Sequence, residues 1–312
     1  MKFISKILAL FGARTGRIGA MIRASLSVLG SDLQVFVPFL CLFVLKAGRG
    51  LLALVILYLG FVTQDWERLF PLMLVFIAYL PVEMILQTFL QAAMSQMARD
   101  TLIEGHINRF AIVKTLLGNL FSLLFIGFVS YLLRRASESK QSGFLGFLVA
   151  IVVFVVAEVW DLVSNFGISA IVVERAGVKT LVARLKELRS HVPETLVGVI
   201  GIDLAGGVAQ SLFAGGVVLG LFGGGAVGYQ FATSLPDAFL AHFGEIPVNT
   251  LPTLSLLALS FILSAVIASA TVLAKSLYFT SLYLFVVHKD EVPDDKLPAL
   301  ARMLQDGKDA SS

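Results

Sequence analysis

Six ionisable residues stand inside long apolar runs of this 312-residue chain: Lys46 and Arg49 in the first run, Glu83 in the second, Glu158 and Asp161 in the fourth, and Lys275 in the sixth. Three are cationic and three anionic, so the set can be neutral. The polar residues Gln87, Thr88, Gln91 and Asn165 accompany them. A charged side chain at the middle of a bilayer costs at least ~2.5–3.5 kcal/mol. Six charges that each faced lipid alone would exceed the stability of an ordinary fold, so they are expected to meet. Lys46, Glu83, Glu158, Asp161 and Lys275 each lie roughly 12–15 residues from the same end of their runs, or roughly 18–22 Å at about 1.5 Å per residue. Three readings follow: a polar pathway or substrate site between helices, an ion-pair cluster that fixes helix packing, or an interfacial layer if the long runs project beyond the membrane.

The fifth run carries glycine at every fourth position, Gly216, Gly220, Gly224 and Gly228, with Gly206, Gly207, Gly215, Gly223 and Gly225 around them. Small residues on one helix face let two backbones approach closely, within the chain or between protomers. A flexible gating hinge is the third use of such a stretch. Asp203 in the same run is either interfacial or a further member of the polar set. Ser260, Ser264 and Thr271 in the sixth run are expected to hydrogen-bond their own helix or a neighbouring one.

Enzyme signatures are lacking. His106, His191, His242 and His288 lie in connections and never pair at metal-ligand spacing, and there is no HExxH and no phosphate-binding loop. Asp161 and Asp203 on successive spans suggest an aspartyl protease only until Ile200 and Ile202 are read where glycines would be needed. The single cysteine, Cys41, excludes an intrachain disulfide. No catalytic residue, metal or cofactor is expected, and the chain reads as a non-enzyme.

The elements that must position these residues follow from composition. The chain is 57% hydrophobic and 14% charged, and the excess over a soluble domain is segmental. About 20 apolar residues span the hydrocarbon core, and lipid offers the backbone no partners, so spans are helices or closed barrels. The alternation of a barrel strand is absent. Spans are expected at 33–62, 69–97, 113–133, 144–173, 195–228 and 251–287. The fold class is all-α: a polytopic membrane protein of about six helices in three hairpins. Residues 1–32 form a basic amphipathic start, 33–287 the transmembrane domain, and 288–312 a tail with a short amphipathic helix. A signal peptide is the alternative for the start, but Ala9 and Ala20 lack a cleavage context.

Charge gives the orientation. Seventeen Lys and Arg fall on one side: those of 1–32, then Arg99, Arg109 and Lys114, then five between Arg175 and Arg189, then four in the tail. The other side has four: Arg68, Arg134, Arg135 and Lys140. This bias places the first side, with both termini, in the cytoplasm of a cell membrane, a prokaryotic inner membrane by this reading. An odd number of spans would mix the groups. Basic amphipathic segments at 14–30, 99–112, 176–192 and 294–305 recur before or after pairs of spans, as helices lying in the interface do. Arg14, Arg17, Arg23, Lys179, Arg184, Lys186 and Arg189 are their candidate contacts to anionic lipid or to a partner. LQTFLQAAM at 86–94 and LVSNFGISA at 162–170 echo each other weakly, as in a threefold hairpin repeat.

Residues 160–184 read WDLVSNFGISAIVVERAGVKTLVAR. This resembles a signature of an uncharacterised prokaryotic family of six-span membrane proteins, a domain of unknown function, carried here by Trp160, Val172, Val173, Glu174, Gly177 and Arg184. Ser169, Arg175 and Leu185 depart from it, where the family tends to have Pro, Gly and Ser. The resemblance implies six spans and no activity.

Two functions are carried forward. The first is a transporter or channel-like protein whose charged set lines a polar cavity. The second is a non-catalytic membrane scaffold or subunit that binds lipid or a partner complex through its basic cytoplasmic face, with the glycine-rich fifth helix as a possible homo-oligomer contact. No nucleic acid is expected as a partner.

Overall fold

The computed structural model describes residues 33–63, 66–137, 143–174, 192–236, 239–243 and 246–288. Among them are seven α-helices: α1 (Phe36–Thr63), α2 (Trp66–Arg99), α3 (Arg109–Gly118), α4 (Leu120–Ser137), α5 (Gly143–Glu174), α6 (Val192–Gln230) and α7 (Leu251–Val287). Five are long and apolar enough to cross a membrane. The chain is an all-α polytopic membrane protein. Large apolar side chains such as Val44, Phe70, Ile77, Val152 and Phe222 stand exposed along its helices, as lipid-facing residues do.

The third expected span, 113–133, is not one straight helix. It is the pair α3 and α4, bent by 70° at Asn119, and it makes a sixth span if the two halves count as one. The local cause is Gly118-Asn119. The Asn119 amide N–H donates to the carbonyls of Thr115 and Leu116, and its Nδ2 donates to Thr115 O at 2.9 Å. These bonds close α3 on itself, and the ladder restarts with Leu123 N–H donating to Asn119 O.

The segment 99–112 also differs from expectation. It is not one amphipathic helix. Asp100–Glu104 form a π-turn continuing α2, Gly105 ends it at φ 75° with its N–H on Asp100 O, and α3 begins after Asn108. Asp100, Thr101 and Leu102 are buried, which a helix lying on a membrane surface would not allow for its charged face. The other amphipathic segments, 14–30, 176–192 and 294–305, lie outside the described residues, apart from Val192, which opens α6.

The chain divides into two units. Of the described residues, the first comprises 33–40, 84–137, 143–174, 192–203 and 272–288. Within it Ile168, Ile171 and Val172 of α5 pack with Ala92 of α2 and with Leu123 and Ile126 of α4. Leu162, Phe166 and Ala170 of α5 pack with Ile202 of α6 and with Tyr278, Phe279, Leu282 and Tyr283 of α7. The last third of α2, α5 and α7 is buried almost without a break, at 92–98, 164–172 and 276–284. Two of those stretches overlap the segments whose sequences echo each other, at 92–94 and 164–170.

The second unit comprises 41–83 and 204–271. Here Tyr79 Oη donates to Leu45 O at 2.7 Å, tying α2 to α1. The glycine stripe of α6 faces α7. A methyl group on Gly216 would meet Ser260, on Gly220 Leu257, on Gly224 the backbone of Thr253, and on Gly228 the carbonyl of Asn249. The close approach these glycines permit is therefore made inside the chain. Gly207, Gly215, Gly223 and Gly225 meet nothing. The α6–α7 connection is an antiparallel hairpin, β1 (Leu240–Phe243) and β2 (Ile246–Asn249), with Leu240 opposite Asn249 and Phe243 opposite Ile246. Buried Asn249 binds Pro236 O through Nδ2 and accepts from Leu251 N–H, which starts α7.

Candidate functional site

Each unit holds its own group of charged residues drawn from the apolar helices. In the second unit Glu83 is 1% exposed, and its Oε1 lies 3.1 Å from an Arg49 guanidinium nitrogen and 3.9 Å from Lys46 Nζ. Lys46 and Arg49 lie three residues apart, hence on one face of α1, and Glu83 answers both from α2. Neither carboxylate oxygen of Glu83 receives a hydrogen bond, so the group is held by charge alone.

In the first unit Lys275 of α7 is clasped between two helices. Its Nζ lies 2.9 Å from Asp161 Oδ2 of α5 and 2.7 Å from Asp203 Oδ1 of α6. The ammonium is only 12% exposed, whereas each aspartate side chain is 39% exposed. Glu158, one turn before Asp161, is exposed and lies within electrostatic reach of Asp161, Asp203 and Lys275. Two carboxylates thus contact one ammonium, and a third stands within electrostatic reach of it. The Asp161 carbonyl is tied down by Asn165 Nδ2 at 2.7 Å and Ser164 Oγ at 3.0 Å. These bonds fix the backbone that presents Asp161 to Lys275.

The six residues expected to form one set are thus partnered in two groups, Lys46, Arg49 and Glu83 in one, Glu158, Asp161 and Lys275 in the other. Asp203 completes the second group. Asn165 supports that site directly, while Gln87 and Gln91 are half-buried on α2. Thr88, Ser260 and Thr271 hydrogen-bond carbonyls of their own helices. Cys41 is exposed. Of the signature residues, Trp160 Nε1 donates to Ser130 Oγ at 2.8 Å, and Glu174 Oε1 accepts from Tyr283 Oη at 2.6 Å. Gly177 and Arg184 lie outside the described residues, as do Arg14, Arg17, Arg23, Lys179, Lys186 and Arg189.

Sequence reasoning missed a polar group at the end of α2. Gln96 and Asp100 are buried, and Gln96 Nε2 donates to Asp100 Oδ1 at 2.6 Å. Their i, i+4 spacing was the available signal. Among the described residues no three of His, Cys, Asp and Glu are grouped to hold a metal ion.

Comparison with protein-family models, with curated proteins and with solved structures gives no match. The geometry alone carries the reading that follows.

Proposed function

We propose that this protein is a membrane transporter or channel-like protein that handles a proton or a small cation at the Asp161–Asp203–Lys275 site. The observation that carries the reading is the ratio of charges. Asp161, Asp203 and Glu158 can supply three negative charges, and Lys275 supplies one positive. In an apolar layer an uncompensated carboxylate is costly, so the surplus is met by protons or a bound cation. The two aspartates keep about two-fifths of their side chains exposed while the lysine is enclosed, which leaves carboxylate oxygens for an incoming cation. The location belongs to the same proposal: a prokaryotic cell membrane with both termini cytoplasmic, as the distribution of Lys and Arg suggests. So does membership of the six-span family that residues 160–184 resemble.

The experiment is flux. The purified full-length chain is reconstituted in liposomes carrying a proton-sensitive dye, and Na⁺, K⁺ and proton gradients are imposed in turn. Flux above that of empty liposomes, lost in Asp161→Asn and Asp203→Asn, supports the reading. Flux absent under every gradient counts against it.

The scaffold reading draws on the other group. Glu83 is almost wholly enclosed with two cations, the arrangement of a packing tie. The basic segments that would hold lipid or a partner lie outside the described residues. This reading expects no flux.

A further inference from the structure

The end of α2 holds a second polar site, independent of the transport proposal. Asp100 is 1% exposed and Gln96 4%. They share one hydrogen bond, Gln96 Nε2 donating to Asp100 Oδ1 at 2.6 Å. Two acceptor atoms in the same pair, Asp100 Oδ2 and Gln96 Oε1, are buried and receive no hydrogen bond. An unmet buried acceptor costs about 1–3 kcal/mol, and more when charged. The unmet atoms are not arbitrary. A carboxylic acid and a primary amide are complementary: the amide N–H gives to the acid carbonyl, and the acid O–H gives to the amide carbonyl. The first of these bonds is present, and the two orphaned oxygens are the ends of the second.

We infer that Asp100 and Gln96 form a proton-binding site. One proton taken from solvent onto Asp100 Oδ2 supplies the missing donor, closes an acid–amide ring and satisfies both buried atoms. The charged groups in electrostatic contact with Asp100 among the described residues are Arg99 and Glu104, both from the same helix end. One Arg99 guanidinium nitrogen bonds Asp100 Oδ1 and Glu104 Oε1, each at 2.9 Å. Proton uptake removes the first of these ion pairs and leaves Arg99 to Glu104. The site sits on the π-turn Asp100–Glu104, whose wider winding sets Asp100 inward while Arg99 stays partly exposed. The pair thus ties the protonation of a buried acid to the partner choice of a neighbouring arginine.

The test is infrared difference spectroscopy, acid minus neutral, on the full-length protein in lipid nanodiscs. The chain has 21 Asp and Glu that can protonate together, so the expected signal is one carboxylic-acid carbonyl band within the wild-type difference that Asp100 supplies. That band is lost in Asp100→Asn, whose amide reproduces both hydrogen bonds without titrating. In Gln96→Leu the acid loses its partner, and the band shifts to higher frequency. If Asp100→Asn does not fold, Gln96→Leu decides alone. A wild-type difference from which Asp100→Asn removes no acid band, and in which Gln96→Leu shifts none, overturns the inference. A water donating to both oxygens would leave Asp100 ionised and give that negative result.

Discussion

Lys275 and Asp161 are 114 residues apart in the chain and 2.9 Å apart in the fold. The same ammonium reaches Asp203, so a single lysine joins α5, α6 and α7. Removing it should do more than delete one contact. Lys275→Met leaves two carboxylates facing each other without a cation; because each is 39% exposed, the loss should fall below the ~3–5 kcal/mol of a fully buried pair. Adding Asp161→Asn and Asp203→Asn to Lys275→Met should recover much of that loss. Thermal denaturation in one detergent measures both, and strictly additive effects would show that the three do not interact.

Glu83 allows a parallel prediction for the second unit. Glu83→Gln leaves Lys46 and Arg49 without the carboxylate they share, and should destabilise the protein by about 3 kcal/mol or more. Combining it with Lys46→Met should cost less than the sum of the two single changes. The readout is again a thermal midpoint, with the double-mutant cycle closing the argument.

The glycines of α6 separate into two kinds. A Cβ on Gly224 would lie 2.6 Å from Thr253 Cα, and backbone cannot swing aside. Gly224→Ala should therefore destabilise by about 1–3 kcal/mol. Gly223→Ala, next to it, meets nothing within 4 Å. It should be neutral or slightly stabilising, since alanine favours helix by about 0.8–1 kcal/mol. Equal effects of the two changes would contradict the packing of α6 on α7.

Tyr283 and Glu174 give a smaller effect. Tyr283 Oη donates to Glu174 Oε1 at 2.6 Å, and His288 Nε2 lies 3.2 Å from the same oxygen. Tyr283→Phe removes a hydrogen bond to an ionisable acceptor and should cost about 1.5–3 kcal/mol. A change within about 0.5 kcal/mol, the range of an ordinary surface substitution, would remove Glu174 from the packing of α5 on α7.

The helices were legible in the sequence because apolar run length is a direct consequence of bilayer thickness. The run read as 251–287 is α7 residue for residue, and, apart from the third, which is the bent pair α3 and α4, the others agree within a few positions. The glycine stripe was legible as a packing face for the same kind of reason: periodicity fixes which residues share a side. Which helix that side meets depends on tertiary contacts, and periodicity does not reach them. Asp203 illustrates this. It was set apart as interfacial or polar, because nothing in its own run points to a lysine 72 residues on. The bend at Asn119 was missed because hydropathy averages over Gly118-Asn119, although glycine and asparagine are both poor helix formers. Asp100 was missed for a different reason. It was counted within a basic amphipathic segment, where an acid reads as part of a solvated face, and only its burial sets it apart.

The transport account stands or falls on whether the Asp161 and Asp203 carboxylates at Lys275 exchange protons for a cation. The most direct measurement is proton release from the purified, weakly buffered protein when Na⁺ or K⁺ is added. The account predicts protons released on addition of one of these ions by the wild type, and no release by the Asp161→Asn/Asp203→Asn double variant. No release from the wild type, or the same release from the double variant, would contradict it.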